Sequence, residues 1–191
     1  RVLTMDLHAN QIQGFFDIPV DNLFAAPTFV QHVKKNIKSK NLVCVAPDVG
    51  GVERARAIAK RLSADLAIID KRRSGPGTSE VMNVIGDVRN KICIIIDDLV
   101  DSGGTIVNAA TALKNKGARD VYAYVVHGVL TGQAVKKINN SKIKKFVISN
   151  SICNIKKIKK SKKFQVISVA SLFAEAIKRI SISKSVSKLF K

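Results

Sequence analysis

The fold class follows from one stretch of the chain, Ile94-Ile95-Ile96-Asp97-Asp98-Leu99-Val100-Asp101-Ser102-Gly103-Gly104-Thr105. It opens with β-branched apolar residues, which are typical of a strand that is buried on both faces. Two carboxylates follow at the predicted end of this strand, and a Ser-Gly-Gly-Thr loop then leads into a predicted helix. The stretch therefore predicts a strand–loop–helix unit of an α/β protein, with polar groups gathered where ligands bind in such sheets.

The rest of the chain continues this alternation of apolar strands and amphipathic helices, which favours a parallel sheet. The predicted strands are Val2–Met5, Leu42–Ala46, Leu66–Asp70, Val81–Ile85, Ile92–Ile96, Val121–Val126, Phe146–Ile148 and Val166–Val169. The predicted helices are Ala26–Ile37, Val52–Leu62, Ile106–Asn115, Gln133–Ile138 and Ser171–Ile180. Between the strands Leu66–Asp70 and Val81–Ile85, the composition of residues 71–79 predicts a mobile basic loop.

The loop after Asp97-Asp98 has the composition of an anion site. Its glycines allow successive backbone N–H groups to point at one anion, and the following helix adds positive potential at its N-terminus. Ser102 and Thr105 add hydroxyl donors. A carboxylate pair cannot favour a phosphate directly, so it should face hydroxyl groups or a cation. A sugar phosphate meets both demands, and we prefer it to an ordinary Ser-Gly-Gly hinge because carboxylates, loop and helix start coincide.

Composition limits the other possibilities. Hydrophobic residues make up 46% of the chain, enough for a packed core, and no apolar run approaches the roughly 20 residues of a membrane span. The net charge is +19, with much of the lysine between residues 136 and 163. We interpret this charge as a solvated surface, with polyanion binding as the alternative. Nucleic acid is not the expected partner, because aromatic residues are only 5% and tryptophan is absent. The three scattered cysteines predict buried, reduced thiols.

Several segments together resemble one family. The stretch 94–105 resembles the phosphoribosyl-diphosphate motif of type I phosphoribosyltransferases and ribose-phosphate pyrophosphokinases. Residues 6–23, DLHANQIQGFFDIPVDNL, resemble the pyrophosphokinase signature. Residues 45–52, followed by Arg54, resemble that family's pyrophosphate-binding loop, and Lys71-Arg72-Arg73 resembles its flexible catalytic loop. The resemblance covers essentially the whole chain.

This resemblance implies an α/β fold with a type I phosphoribosyltransferase-like parallel sheet flanked by helices. It divides the chain into residues 1–24, the end of an N-terminal domain, residues 25–176, a phosphoribosyltransferase-like C-terminal domain, and residues 177–191, a C-terminal tail. Since the chain begins inside a predicted strand, we expect it to be a fragment.

The implied activity is that of a ribose-phosphate pyrophosphokinase, which serves nucleotide biosynthesis. The anomeric hydroxyl of ribose 5-phosphate attacks the β-phosphorus of MgATP, giving 5-phosphoribosyl 1-diphosphate and AMP. The resemblance implies Mg²⁺ as cofactor, ATP and ribose 5-phosphate as ligands, a homo-oligomer from dimer to hexamer, no membrane and a cytoplasmic location. The family's adenine-binding segments are not found in these residues, so we expect this chain alone to be inactive.

The resemblance also assigns roles to residues. It implies Lys71 and Arg73 as catalytic cations. For ribose 5-phosphate it implies Asp97, Asp98, Asp101, Ser102, Gly103, Gly104 and Thr105. For the pyrophosphate loop it implies Asp48, Val49, Gly50 and Gly51. For metal it implies His8, Asp48, Asp6, Asp17 and Asp21.

Three alternatives stay open. A phosphoribosyltransferase of nucleotide salvage would share the stretch 94–105 but not the segment 6–23. A catalytically silent partner subunit would have damaged catalytic positions, whereas Lys71, Arg73, Asp97 and Asp101 are present. A nucleic-acid-binding module would use the net charge alone.

Overall fold

A computed structural model describes residues 1–72 and 81–190. The strands are β1 Val2–Met5, β2 Val20–Leu23, β3 Leu42–Ala46, β4 Asp65–Arg72, β5 Val81–Ile85, β6 Ile92–Val100, β7 Asp120–Gly128, β8 Lys145–Ser149 and β9 Phe164–Ile167. The helices are α1 Ala26–Asn36, α2 Val52–Leu62, α3 Gly104–Asn115, α4 Ala134–Asn140, α5 Ile155–Ile158 and α6 Ala170–Ser181. Short 3₁₀ helices span Asn10–Phe15 and Ser187–Phe190.

The main sheet confirms the predicted α/β class. Its strand order is β5-β4-β3-β6-β7-β8-β9. All neighbouring pairs from β4 to β9 are parallel, whereas β5 pairs antiparallel with β4. The predicted parallel sheet is thus confirmed, with β5 as an antiparallel strand at one edge. Only residues 73–80 separate β4 from β5, fewer than the dozen or so that a parallel crossover requires.

The central strands are apolar along their length because both faces of the sheet are covered. On β6, Ile94 and Ile96 pack with helices α1 and α2, whereas Cys93 and Ile95 pack with α3 and α4 on the opposite face. Successive side chains of a strand point to opposite faces, so each face receives every second residue. This burial fixes where the strands end, and hence where the polar loops lie.

Several predicted strand boundaries were wrong, and pairing explains the two that border the polar loops. The basic loop was predicted to begin at Lys71, but β4 runs to Arg72 because it pairs with β5 as far as Val81. The strand before the acidic pair was predicted to end at Ile96, but β6 runs to Val100 because its ladder with β7 continues to Gly128. Asp97 and Asp98 thus lie within the last part of a strand rather than after it. The remainder of the predicted basic loop lies outside the described residues.

The first 23 residues lie apart from the main sheet as a parallel two-stranded pair. Val2 to Met5 pair in register with Val20 to Leu23, and the latter strand was missed from the sequence. The predicted boundary between residues 24 and 25 falls between β2 and α1, and the boundary between 176 and 177 falls inside α6. The division into domains stays a prediction.

The parallel arrangement brings the carboxyl ends of β3, β6 and β7 to one edge of the sheet. The loops that follow β3 and β6 therefore lie side by side, although about 50 residues separate them in sequence. No helix within the described ranges is long and apolar enough to cross a membrane.

Candidate active site

A cavity of about 180 Å³ lies at this edge, between the end of β6 and the start of α3. The residues that line it are His8, Asp48, Asp97, Asp98, Leu99, Val100, Asp101, Ser102, Gly103, Gly104, Thr105 and Ile106. It thus brings together all the residues predicted to bind ribose 5-phosphate, one residue of the predicted pyrophosphate loop, and two of the predicted metal ligands. Their roles at the site stay a prediction.

The loop turns at Gly103, whose φ of 77° lies in the left-handed region. A side chain there would be strained, so the turn requires glycine. The helix α3 begins at Gly104, and no side chain caps its N-terminus. The first N–H groups of the helix lack partners within it, so they are free to bind an oxyanion in the cavity.

Asp101 is held by a residue that the sequence did not single out. The Thr131 hydroxyl donates to Asp101 Oδ1 at 2.6 Å, and the Thr131 N–H donates to the Asp101 carbonyl at 3.1 Å. Thr131 follows β7, the neighbour of β6 in the sheet. This pair of hydrogen bonds ties residues 101–105, which we call the cradle loop, to the next strand end and fixes one wall of the cavity.

The acidic pair meets a guanidinium. Arg54, in the first turn of α2, places its Nη2 at 2.9 Å from Asp98 Oδ2. Its Nη1 lies 3.9 Å from Asp97 Oδ1, and its Nε lies 3.8 Å from Asp6 Oδ1. One cation therefore faces three carboxylates that come from β6 and from the loop after β1. The sequence pattern indicated Arg54 only as the residue that follows the predicted pyrophosphate loop, and it did not predict this contact with three carboxylates.

Burial and neighbouring charges shift the pKa values of these three carboxylates in different directions. Burial raises the pKa of Asp97, and the neighbouring negative charge of Asp98 raises it further. Burial also acts to raise the pKa of Asp98, but Arg54 and the ring of His8, 2.9 Å away, bring it below its usual range. Burial raises the pKa of Asp6, although the Ala25 N–H and Arg54 offset part of the effect. The site thus places Asp97, whose pKa is raised, beside Asp98, whose pKa is lowered.

The five predicted metal ligands separate into three groups. His8 and Asp48 line the cavity. Asp6 is 4% exposed and accepts the Ala25 N–H at 2.7 Å, so its carboxylate is committed to the protein interior. Asp17 is exposed, and Asp21 pairs with Arg1. Among the described residues, no three histidine, cysteine or acidic side chains are arranged to hold a metal ion.

The predicted pyrophosphate loop joins β3 to α2. The Gly51 N–H donates to Asp48 Oδ1 at 2.9 Å, which closes the turn. Val49 is 71% exposed, so its apolar side chain points away from the core. A Cβ on Gly50 would stand 3.4 Å from Asp48 Oδ1, at the limit of ordinary van der Waals contact.

Of the two predicted catalytic cations, Lys71 and Arg73, only Lys71 lies among the described residues. Lys71 is exposed near the end of β4, in register with Met82, and the described lining of the cavity does not include it. Arg73 lies outside the described residues. The catalytic role of both therefore stays a prediction.

A second cavity of about 360 Å³ shares His8 with the first cavity and is also lined by Arg54. Its lining includes the aromatic residues Phe24, Phe29 and Phe190 and the cation Arg61. His127 also lies near the junction of β1 and β7, where its Nε2 is 3.0 Å from the Met5 carbonyl. That contact orients the chain just before Asp6 and was not predicted.

Comparisons with known proteins agree on one family. The family model of the phosphoribosyl synthetase-associated domain matches residues 73–191, more than half of the chain. The chain belongs to the phosphoribosyl synthetase-associated domain family.

Relatives with known names extend this assignment. The ribose-phosphate pyrophosphokinase of Bradyrhizobium diazoefficiens is 56% identical over 190 residues, and that of Brucella melitensis is 57% identical over 190 residues. The matches cover the whole of this chain but only 60% and 61% of those proteins. The crystal structure of phosphoribosylpyrophosphate synthetase from Mycobacterium smegmatis superposes with a TM-score of 0.86 at 35% identity, covering 95% of this chain and 58% of that one. The resemblance to this synthetase family and the type I phosphoribosyltransferase-like fold are thereby confirmed.

Proposed function

We propose that this member of the family is the ribose 5-phosphate-binding part of a ribose-phosphate pyrophosphokinase. The observation that carries the proposal is the cavity at the end of β6, where an acidic pair and a glycine turn at a helix N-terminus line one space of about 180 Å³. Relatives of that name match the whole chain, while the chain spans about 60% of their length. The activity of the whole protein is therefore part of the proposal.

In this proposal the cradle loop binds the 5-phosphate. The amides of residues 102–105 and the hydroxyls of Ser102 and Thr105 donate to phosphate oxygens, and the N-terminus of α3 favours the negative charge. Asp97 and Asp98 accept hydrogen bonds from the ribose hydroxyls. The sugar is then held at both ends, which aligns its anomeric hydroxyl with a second ligand on the Asp48 side of the cavity.

The transfer itself consists of attack by the anomeric hydroxyl on the β-phosphorus of ATP and departure of AMP. Such transfers depend on alignment and charge neutralisation rather than on covalent catalysis by the protein. We assign the neutralising charge to Lys71 and Arg73, as the family resemblance implies. The raised pKa of Asp97 gives the site a carboxyl group that holds a proton more readily than a solvated aspartate.

The residues of the cavity fit a magnesium ion. Magnesium is bound by one or two carboxylates together with substrate phosphates and water, so a cluster of three protein ligands is not required. Asp48 and His8 line the cavity and would hold the ion, which would neutralise charge on the bound phosphates. The homo-oligomeric state and the cytoplasmic location stay predictions.

The test is an NMR titration of the isotopically labelled chain with ribose 5-phosphate, inorganic phosphate and ribose. We expect ribose 5-phosphate and phosphate to shift the amides of residues 102–105, and ribose alone to leave them in place. The variant Thr105→Val removes a proposed donor and should weaken binding. Thr111→Val makes the same change on the same helix, where the hydroxyl donates to the Val107 carbonyl, and should bind as the wild type.

Two outcomes would contradict the proposal. One is unmoved cradle amides at saturating ribose 5-phosphate, and the other is equal loss of binding in both threonine variants. Separately, we predict that the 191-residue chain releases no AMP from ATP and ribose 5-phosphate, because the family's adenine-binding segments are not among its residues. An assay of AMP release checks this expectation.

A further inference from the structure

The edge of the sheet opposite the candidate active site is strongly basic. Five connections enter the neighbouring parallel strands β3, β6, β7, β8 and β9, namely residues 37–41, 86–91, 116–119, 141–144 and 159–163. Each of the first four connections carries two lysines or arginines, and residues 159–163 carry four lysines. We call these twelve side chains the basic edge: Lys38, Lys40, Arg89, Lys91, Lys116, Arg119, Lys142, Lys144, Lys159, Lys160, Lys162 and Lys163. They span 126 positions of sequence but share one side of the molecule, because parallel strands all begin at the same edge.

Backbone hydrogen bonds join these connections into one continuous surface. The bonds run from Ile92 N–H to Asn41 O at 3.0 Å, from Arg119 N–H to Lys91 O at 2.9 Å, from Lys144 N–H to Val121 O at 2.8 Å and from Phe146 N–H to Lys163 O at 3.0 Å. Each connection is therefore fixed against its neighbour in strand order. The positions of the charges follow from the sheet and do not depend on chance encounters of separate loops.

Few of these charges are neutralised by the protein. Lys91 pairs with Asp65 at 2.8 Å, and Lys144 pairs with Asp120 at 3.1 Å. Lys163 donates to the Ser141 carbonyl at 2.6 Å, and burial lowers its pKa. The other nine are exposed and form no ion pair with any residue that the structure describes. A surface with nine solvated cations on one edge of the sheet favours a ligand with repeated negative charges.

The shape of the basic edge selects among such ligands. Adjacent strands are about 4.8 Å apart, so five strands set the connections along roughly 19 Å. The sheet twists by about 20–25° per strand, so the row turns by close to 90° over its length. A flat bilayer cannot follow such a turn, and none of the large exposed hydrophobic side chains lies in these connections to enter one. A nucleic acid carries a helical row of phosphates, with one charge per about 1.7 Å of duplex axis.

We propose that the basic edge binds the phosphate backbone of a nucleic acid without recognising its bases. The five connections contain no aromatic residue, so they provide no platform for stacked bases. Phosphate contacts position a protein on the strand but carry no sequence information. The proposal does not rest on the function proposed above, because the basic edge and the cavity lie at opposite ends of the parallel strands.

The test compares two variants with equal loss of charge. Lys142→Gln/Lys160→Gln/Lys162→Gln neutralises part of the basic edge. Lys178→Gln/Lys184→Gln/Lys188→Gln is the matched control, on and after α6, where the three lysines are also exposed. Binding to a fluorescent duplex of about 20 base pairs is measured by anisotropy from about 50 to 200 mM salt, with a second duplex of different sequence.

We expect the wild-type affinity to fall linearly with salt on logarithmic axes and to be equal for the two duplexes. In the basic-edge variant, the slope of log affinity against log salt concentration should become shallower by about three, and the affinity at 0.1 M salt should fall on the order of 100-fold. The control variant should keep the wild-type slope. Thermal melting of both variants confirms that the fold is retained.

Several results would overturn the proposal. Equal weakening in both variants would mean that net charge alone attracts the duplex. Displacement of the duplex by ribose 5-phosphate would place the contact at the cavity. Binding through the basic edge to phosphatidylserine vesicles or to polyglutamate, with no binding to either duplex, would identify a membrane or an acidic protein as the partner instead.

Discussion

Removing the positive charge of Arg54 should destabilise the fold in a way that depends on pH. The guanidinium is 22% exposed and lies within 4 Å of three carboxylates, of which Asp6 and Asp98 are 4% and 5% exposed. In Arg54→Gln these carboxylates stay buried without their cation. Breaking a buried ion pair by removing one partner costs about 3–5 kcal/mol, a large part of the roughly 5–15 kcal/mol that stabilises a typical domain. We expect a loss in the lower half of that range, because Arg54 is partly solvated.

The sign of the pH dependence follows from the pKa of Asp98. In the wild type that pKa is lowered in the folded chain, so its contribution to stability is present above the unfolded pKa and is lost as pH falls through the folded pKa. Without Arg54 the cause of the lowering is reduced, and burial then raises the pKa of Asp98. The ionised carboxylate costs stability above the raised value, so the penalty of Arg54→Gln should be largest near pH 8 and should shrink towards pH 5.

Urea unfolding at several pH values, followed by circular dichroism, measures this penalty. Arg56→Gln is the control, since Arg56 lies on the same helix, is exposed and forms no ion pair within the described part of the chain; it should change the free energy of unfolding by less than about 0.5 kcal/mol. Adding Asp98→Asn to Arg54→Gln should recover part of the loss. The reasoning would be refuted by a penalty below about 1 kcal/mol at pH 8, or by one that does not vary with pH.

Three further predictions rest on single positions. Asp97→Asn should raise the free energy of unfolding by about 2 kcal/mol at pH 8 and by little near pH 4, because the raised pKa of the folded state makes the ionised carboxylate unfavourable as pH rises. Urea unfolding at both pH values measures this difference, and an equal gain at both would contradict the prediction. Gly103→Ala should destabilise the chain by about 1–2 kcal/mol, since φ is 77° there, and should abolish the amide shifts caused by phosphate; thermal melting and NMR measure the two effects. A thiol reagent should label Cys153 in the native chain and not Cys44 or Cys93, because burial raises the pKa of both buried thiols to about 12. Mass spectrometry of the labelled peptides identifies the modified cysteines, and rapid labelling of either buried cysteine would contradict the fold.

The local pattern of residues was sufficient for much of the fold. The bounds predicted for Leu42–Ala46 and Val52–Leu62 match β3 and α2, because the first is a short apolar run closed by Pro47 and the second has one apolar helical face. The glycine turn at residues 102–105 was predicted as a loop at a helix start, and α3 begins at Gly104. Such features depend on neighbours within a few positions, so the sequence displays them directly.

The strands that were missed or misjudged depend on distant partners. The strand β2 was not predicted, because Val20–Leu23 alternates only weakly and becomes a strand by pairing with β1. The extension of β6 to Val100 follows from its ladder with β7, and the antiparallel β5 follows from the short connection after β4. Strand propensity is mostly a measure of fit to neighbouring strands, so a single segment does not reveal it.

By itself the sequence determined the fold class and the family, because short contiguous runs of residues carry both. It also predicted the loop residues 101–105, which the structure brings together in one cavity and whose binding role stays a prediction. Only the tertiary structure decided that Arg54 faces three carboxylates, that Thr131 holds Asp101, and that lysines from five separate connections share one edge. The physical reason is the parallel sheet. Each crossover returns the chain to the same edge, so residues far apart in sequence meet there in an order set by strand pairing rather than by position along the chain.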